Sequence, residues 1–266
     1  MSLMHAFKVE ALAVRVYDSQ PAMAAAAAAE VRDYLAAVLA AQGQARVILA
    51  SAASQEQFLA ALTALPGVEW GRVRLFHMDE YLGISAEHPA SFRRFLRERV
   101  ELKVRPLAFH YIQGEALEPL QEIERYTALL SEGPVDLCCL GIGENGHIAF
   151  NDPPVADFAD RRVMKLVQLD ERCRRQQVGE GAFPNLAAVP QYAYTLTVPA
   201  LCAARKMVCV VPERRKAEAV RLALAGPVST QCPASILRRQ PQAVLYLDAE
   251  SAAELSPELL GGREAA

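Results

Sequence analysis

The chain has 266 residues, of which 52% are hydrophobic and 22% charged, with a net charge of −3. This is the make-up of an ordinary globular enzyme, and it excludes wholesale disorder. It gives no general attraction for nucleic acid, so any anion must be held by local cations. The start, MSLMHAFKVEAL, lacks the basic head and apolar core of a signal peptide. No apolar stretch reaches the roughly 18 residues a membrane helix requires. Six cysteines are scattered without metal-ligand spacing and read as buried thiols of a cytoplasmic protein.

In chain order, Ala11 to Tyr17 alternates as a strand does, and Asp18 or Ser19 can cap an Ala-rich helix that runs to about Ala41 and ends at Gly43. Arg46 to Ala50 is a short buried strand. Ser54 and Gln57 have capping-box spacing at the head of a helix to Leu65. Arg72 to Met78 is the next strand, closing on Asp79-Glu80-Tyr81. A helix over 91–100, a strand over 107–112 and a helix over 117–130 follow. Val135 to Leu140 is apolar enough for a strand buried on both faces, and it runs into Gly141, Gly143 and Gly146. Those glycines spell the dinucleotide fingerprint, but Asn151-Asp152-Pro153-Pro154 arrives too soon for the helix that motif needs, which argues against NAD. Strands at 162–169, 192–198, 207–211 and 243–247 alternate with helices at 170–177, 213–225 and 233–239. Val178 to Pro190 is long enough for a lid, and the tail from Ser256 is expected to fray. With no linker and no repeat, the economical reading is one doubly wound α/β domain with a mostly parallel sheet over residues 1–266.

Four stretches carry candidate chemistry. Asp79 and Glu80 end a buried strand, where a carboxylate can abstract a proton next to a carbonyl; a solvated turn is the competing reading. His147 lies in a glycine loop with Asn145 and Asp152, either of which can fix its tautomer. Ser51, Ala52, Ala53 and Ser54 lie between a strand and a helix N-terminus, where hydroxyls and N–H groups could hold a phosphate, although simple capping by Ser54 explains the same residues. Lys216, with Arg172, Arg174 and Arg175, could clamp a phosphate, while surface charge is the plain alternative for some of them.

The motifs FHMDEYLG and GIGENGHIAFNDPP, with EHPASF, VPQYAYTLTV and Lys216, resemble the glucosamine-6-phosphate deaminase/isomerase family, related to the 6-phosphogluconolactonases. The resemblance spans nearly the whole chain. It implies a three-layer α/β/α Rossmann-like fold, a sugar 6-phosphate substrate and no metal or organic cofactor. It makes Asp79 the base that moves a proton between C2 and C1, and His147, oriented by Asp152, the group that assists ring opening. Ser51 to Ser54 replace a Thr-Gly-Gly-Thr phosphate loop, with Glu80, Gly143, Gly146, Arg174 and Lys216 as further substrate contacts. Asn145 stands where deaminases usually carry aspartate, as it does in a galactosamine-6-phosphate branch, and Gln177 stands near a family arginine.

The resulting expectation is an amino-sugar-phosphate isomerase/deaminase, cytoplasmic and homo-oligomeric, with no nucleic-acid or membrane partner. A lactone hydrolase in which His147 activates water is one alternative. A sugar-phosphate binder without turnover is the other, motivated by Asn145 and the altered loop.

Overall fold

In the computed structural model, which describes residues 2–261, apolar strands occupy the middle of the molecule. The strands are β1 (Leu3–Val9), β2 (Leu12–Tyr17), β3 (Ala45–Leu49), β4 (Val73–His77), β5 (Asp79–Tyr81), β6 (Ala108–His110), β7 (Leu137–Leu140), β8 (Met164–Gln168), β9 (Tyr192–Leu196), β10 (Lys206–Val211) and β11 (Ala243–Asp248). Eight of them form one sheet in the order β1-β2-β11-β10-β7-β3-β4-β6, parallel throughout except for the β1–β2 pair. Successive side chains of a strand point to opposite faces, and here they feed two separate cores. Ile48, Phe76, Cys138, Cys209 and Leu245 pack on one face. Val47, Leu75, Cys139, Val208 and Tyr246 pack on the other, beneath the helix Gln20–Gln42. That helix lays Ala24, Ala27, Ala28, Val31 and Leu35 on the sheet, so its small side chains allow a close approach. The arrangement is the expected three-layer α/β/α sandwich with a mostly parallel sheet.

The strand order locates the ligand crevice. From β3 the chain moves outward through β4 to β6, then returns to place β7 on the other side of β3. Ligands of open α/β sheets bind at such a reversal, outside the carboxyl ends of the strands. Here those ends are the Ala50–Ser54 turn after β3 and the glycine loop after β7, joined by a 3.0 Å hydrogen bond from Ala50 N–H to Cys139 O.

Several elements differ from the sequence reading. Residues 3–9 form an additional antiparallel edge strand, β1, on β2. The strands at 164–168 and 192–196 leave the main sheet and pair with β5 in a second, antiparallel sheet of order β5-β9-β8. The chain therefore changes sheets between His77 and Asp79, and a small core of Tyr81, Phe150, Val167, Cys173 and Phe183 fills the space beneath. The Ser54–Gln57 capping box does not form. Residues 53–55 make a 3₁₀ turn before the helix Glu56–Ala64, and Ser54 Oγ meets Gln55 Nε2 at 3.4 Å. Nor does Ser19 or Asp18 cap its helix, because Asp18 instead accepts from Ser2 N–H and the Ser19 hydroxyl, both at 2.9 Å. The expected fraying from Ser256 is contradicted over Pro257–Leu260, a short helix capped by Ser256 and packed on the core through Leu259 and Leu260; residues 262–266 of that tail lie outside those described.

Tyr126 ties the end of β4 in place. Its hydroxyl accepts His77 N–H at 2.9 Å and donates to His77 O at 2.7 Å. Tyr126→Phe strands a buried N–H, so we expect it to lower unfolding free energy by about 1–3 kcal/mol, measured by urea denaturation, with no change in fold.

Candidate active site

The pocket is walled by Ala50–Glu56 after β3, Met78 and Asp79 after β4, and Gly141–Gly143, His147, Ala149 and Phe150 after β7. Pro89–Phe92, Phe95 and Arg99 form one rim, and Gln176, Gln177, Glu180, Ala182 and Lys216 complete it. Most of the residues singled out in the sequence meet here.

Asp79 and Glu80, adjacent and both buried, have opposite fates. Glu80 accepts from the N–H groups of Tyr81, Phe92 and Arg93 at 3.0–3.1 Å and from the Ser91 hydroxyl at 2.8 Å, with the Arg93 guanidinium 3.5 Å away. It caps the helix that begins at Phe92 and is not part of the pocket wall, so it clamps the rim. Asp79, 6% exposed, keeps Oδ1 without a partner among the described residues. Burial, reinforced by the neighbouring Glu80 charge, raises its pKa well above the ordinary carboxyl value. Directly before it, burial pushes the His77 imidazole down to about 3, so that ring stays neutral and accepts Ile112 N–H through Nε2 at 2.8 Å.

His147 is set by a chain of polar contacts. Its Nδ1 lies 2.7 Å from Asn145 Oδ1 and 2.9 Å from Asp152 Oδ1. Asn145 Nδ2 donates to Asp152 at 2.9 Å and to Asp170 at 3.3 Å. An amide oxygen can only accept, so the ring proton belongs on Nδ1 and Nε2 keeps its lone pair. Burial would raise the Asp152 pKa, but the hydrogen bonds from His147 and Asn145 outweigh it and hold the carboxyl below its usual range. The ring lies over Gly143, where a Cβ would come within 2.1–2.4 Å of imidazole atoms. Gly146 turns the loop at φ +82°, and a side chain there would strike Cys232 Sγ; it shapes the loop without facing the pocket.

His147, Asp152 and Cys173 bring ligand-type atoms within 4.8 Å of one another. Burial, with the nearby Asp152 carboxylate, raises the Cys173 thiol pKa well above its ordinary value.

At the phosphate-loop position, the Ser51 hydroxyl is buried without a partner among the described residues, at the head of a turn whose first N–H groups have no helical acceptors. Lys216 is 2% exposed in the pocket wall, and burial lowers its pKa. Arg174 does not reach the pocket. Its guanidinium donates to Leu186 O and Val189 O and secures the following loop. Arg172 pairs with Glu218 and Arg175 with Glu171 on the surface. Residues not foreseen as pocket wall include Gln176, Glu180 and Arg99, the last held by Glu56 at 3.0 Å.

A bare carboxyl, an imidazole and a buried lysine are gathered in one pocket at the switch point of the parallel sheet of an α/β protein. Residues 18–246 match the family of glucosamine-6-phosphate isomerases/6-phosphogluconolactonase. The chain belongs to that family. It is 36% identical over 191 residues to a glucosamine-6-phosphate deaminase of Exiguobacterium sibiricum, covering 72% of this chain and 74% of that one. A solved monomeric glucosamine-6-phosphate deaminase superposes with a TM-score of 0.82 at 27% identity, covering 90% of this chain and 98% of that one. A 6-phosphogluconolactonase of Shewanella baltica shares the fold, with a TM-score of 0.74 at 16% identity and coverage of 93% and 100%. Among the described residues, no helix is long and apolar enough to cross a membrane.

The raised pKa of Asp79 has a sign that can be checked. Its folded value lies above the unfolded value of about 3.9, so the folded state binds more protons and loses stability as pH rises from about 4 through the folded pKa. Asp79→Asn removes that loss. Urea unfolding from pH 4 to 8 should show the variant gaining on the native chain as pH rises, by about 1–3 kcal/mol at neutral pH. Gly143→Ala should fold but lose at least about 100-fold in turnover, because the ring must leave its seat.

Proposed function

We propose that this chain, acting as one domain, is an amino-sugar-phosphate isomerase/deaminase that converts glucosamine 6-phosphate or galactosamine 6-phosphate to the ketose 6-phosphate and ammonium. The observation that carries this reading is Asp79, a buried carboxyl in the pocket wall with one oxygen that has no partner among the described residues. The deaminase relatives support the same reaction class.

His147 takes the proton of the sugar's anomeric hydroxyl through Nε2 as the ring opens, and returns a proton to the ring oxygen. Asp79 then removes the C2 proton of the open aldehyde. The electron pair forms the C1–C2 enolamine as a proton passes from the substrate's C2 ammonium group to the aldehyde oxygen, and Asp79 then delivers its own proton to C1. The resulting C2 iminium adds water and expels ammonium, so one water is consumed and no redox partner is needed. The raised pKa suits Asp79 to both halves of this transfer, because a stronger base takes the carbon-bound proton more readily. Asn145 and Asp152 hold the imidazole, and Ser51, the turn at Ala52–Ser54 and Lys216 receive the phosphate. The reaction requires neither metal nor organic cofactor, and we assign the protein to the cytoplasm. The resemblance suggests a homo-oligomer, while the solved deaminase is described as monomeric.

The test is ammonium release from glucosamine 6-phosphate and galactosamine 6-phosphate. Release from at least one, with turnover in Asp79→Asn reduced by roughly 10³-fold or more, is the expected result. Folded protein that releases none from either, or an active Asp79→Asn, contradicts the proposal. His147→Ala should slow the cyclic substrate more than an open-chain analogue; equal losses on both would remove His147 from ring opening.

A further inference from the structure

Glu180 follows the helix Glu171–Gly179 and shares the pocket wall with Lys216. Its Oε1 lies 3.9 Å from Lys216 Nζ and 3.4 Å from an Arg215 nitrogen, and it accepts from Gln176 Nε2 at 2.8 Å. The Glu180 and Lys216 side chains are only 7% and 3% exposed. Gln176 also accepts Glu144 N–H at 3.0 Å, so the carboxylate is fixed between this helix and the glycine loop. Two further carboxylates join the group: Glu144 is 3.9 Å and Glu213 2.5 Å from Arg215. Lys216 and Arg215 are thus met by Glu144, Glu180 and Glu213, leaving this corner formally at −1. On the same wall, the buried Ser51 hydroxyl has no partner among the described residues.

These observations pull in opposite directions. A lysine this buried is costly to keep charged without an anion beside it, and Glu180 is that anion. A phosphate entering the corner would find Lys216 already neutralised and would be repelled by a nearby carboxylate. Both cannot hold the lysine at once without that repulsion.

We propose that Glu180 is an internal stand-in for the substrate phosphate. It keeps Lys216 ionised in the free protein and gives way to the phosphate on binding, which makes it the residue that sets how strongly the pocket takes phosphorylated ligands. The proposal rests on the reading of this pocket as a sugar-phosphate site.

The test is calorimetric titration of inorganic phosphate and of glucosamine 6-phosphate into the native chain, Glu180→Gln, Glu180→Ala and Lys216→Met, with ammonium release assayed in parallel. We expect phosphate to bind roughly tenfold tighter to Glu180→Gln, with Glu180→Ala changing in the same direction and Lys216→Met losing binding. Unchanged or weaker phosphate binding in whichever Glu180 variant folds overturns the proposal. If no form binds phosphate while ammonium is still released, the stand-in role falls and the catalytic reading survives. If the Glu180 variants bind phosphate more tightly but no ammonium is released by any form, the stand-in role survives and the catalytic reading falls.

Discussion

Two adjacent carboxyl groups are buried at the point where the chain passes from the main sheet to the second one, and the pocket depends on their being treated differently. Glu80 is surrounded by three N–H groups, a hydroxyl and a guanidinium, and it joins the end of β5 to the helix starting at Phe92. This fixes the rim from Ser91 to Arg99 against the strand. Asp79, one residue earlier, faces the opposite side and is left with an oxygen that has no donor among the described residues. A buried polar group without a partner costs about 1–3 kcal/mol or more, and the two flanking cores of the large sheet can absorb it. An unsatisfied carboxyl in a pocket wall is the pattern expected where stability has been given up for reactivity.

The glycine loop completes the site by geometry more than by charge. The sheet reversal brings the loop after β7 beside the turn after β3, and Gly143 leaves room for the imidazole to lie on the backbone. Asn145 uses both ends of its amide, accepting from the ring and donating to Asp152 and Asp170. An aspartate there could accept but not donate, and would place a second negative charge beside Asp152. The amide therefore fixes the tautomer, while the stabilising charge comes from Asp152, 2.9 Å from Nδ1. Ala149 at φ +49° and Gly146 at φ +82° turn the chain on either side of the ring.

What the sequence reveals here follows from periodicity and local chemistry. The parallel core strands, the glycine loop with His147, and Asp79 at a strand end are all legible, because each is encoded by neighbours within a few residues. The second sheet is not. Its strands alternate like the others, and only tertiary pairing decides which sheet receives them. The helix at 171–179, ERCRRQQVG, is mostly polar, and Cys173 and Val178, which pack on the small core, are too few to tell which of its polar residues point inward. Arg174 turns away to hold a loop, while Gln176, Gln177 and Glu180 line the pocket. Glu80 illustrates the same limit: neighbouring acids in DEY look alike until the rim helix is placed over one of them.

On this reading Asp79, a buried carboxyl in the pocket wall, carries a proton between two carbons of the substrate. The most direct measurement follows the isotope: glucosamine 6-phosphate or galactosamine 6-phosphate, whichever is turned over, is deuterated at C2, and the ketose phosphate is analysed by NMR. Transfer by one shielded carboxyl predicts deuterium at C1 of the product, in a single stereochemical position and in part exchanged for solvent protons. A C1 hydrogen drawn wholly from solvent, or deuterium spread over both C1 positions, would contradict the account.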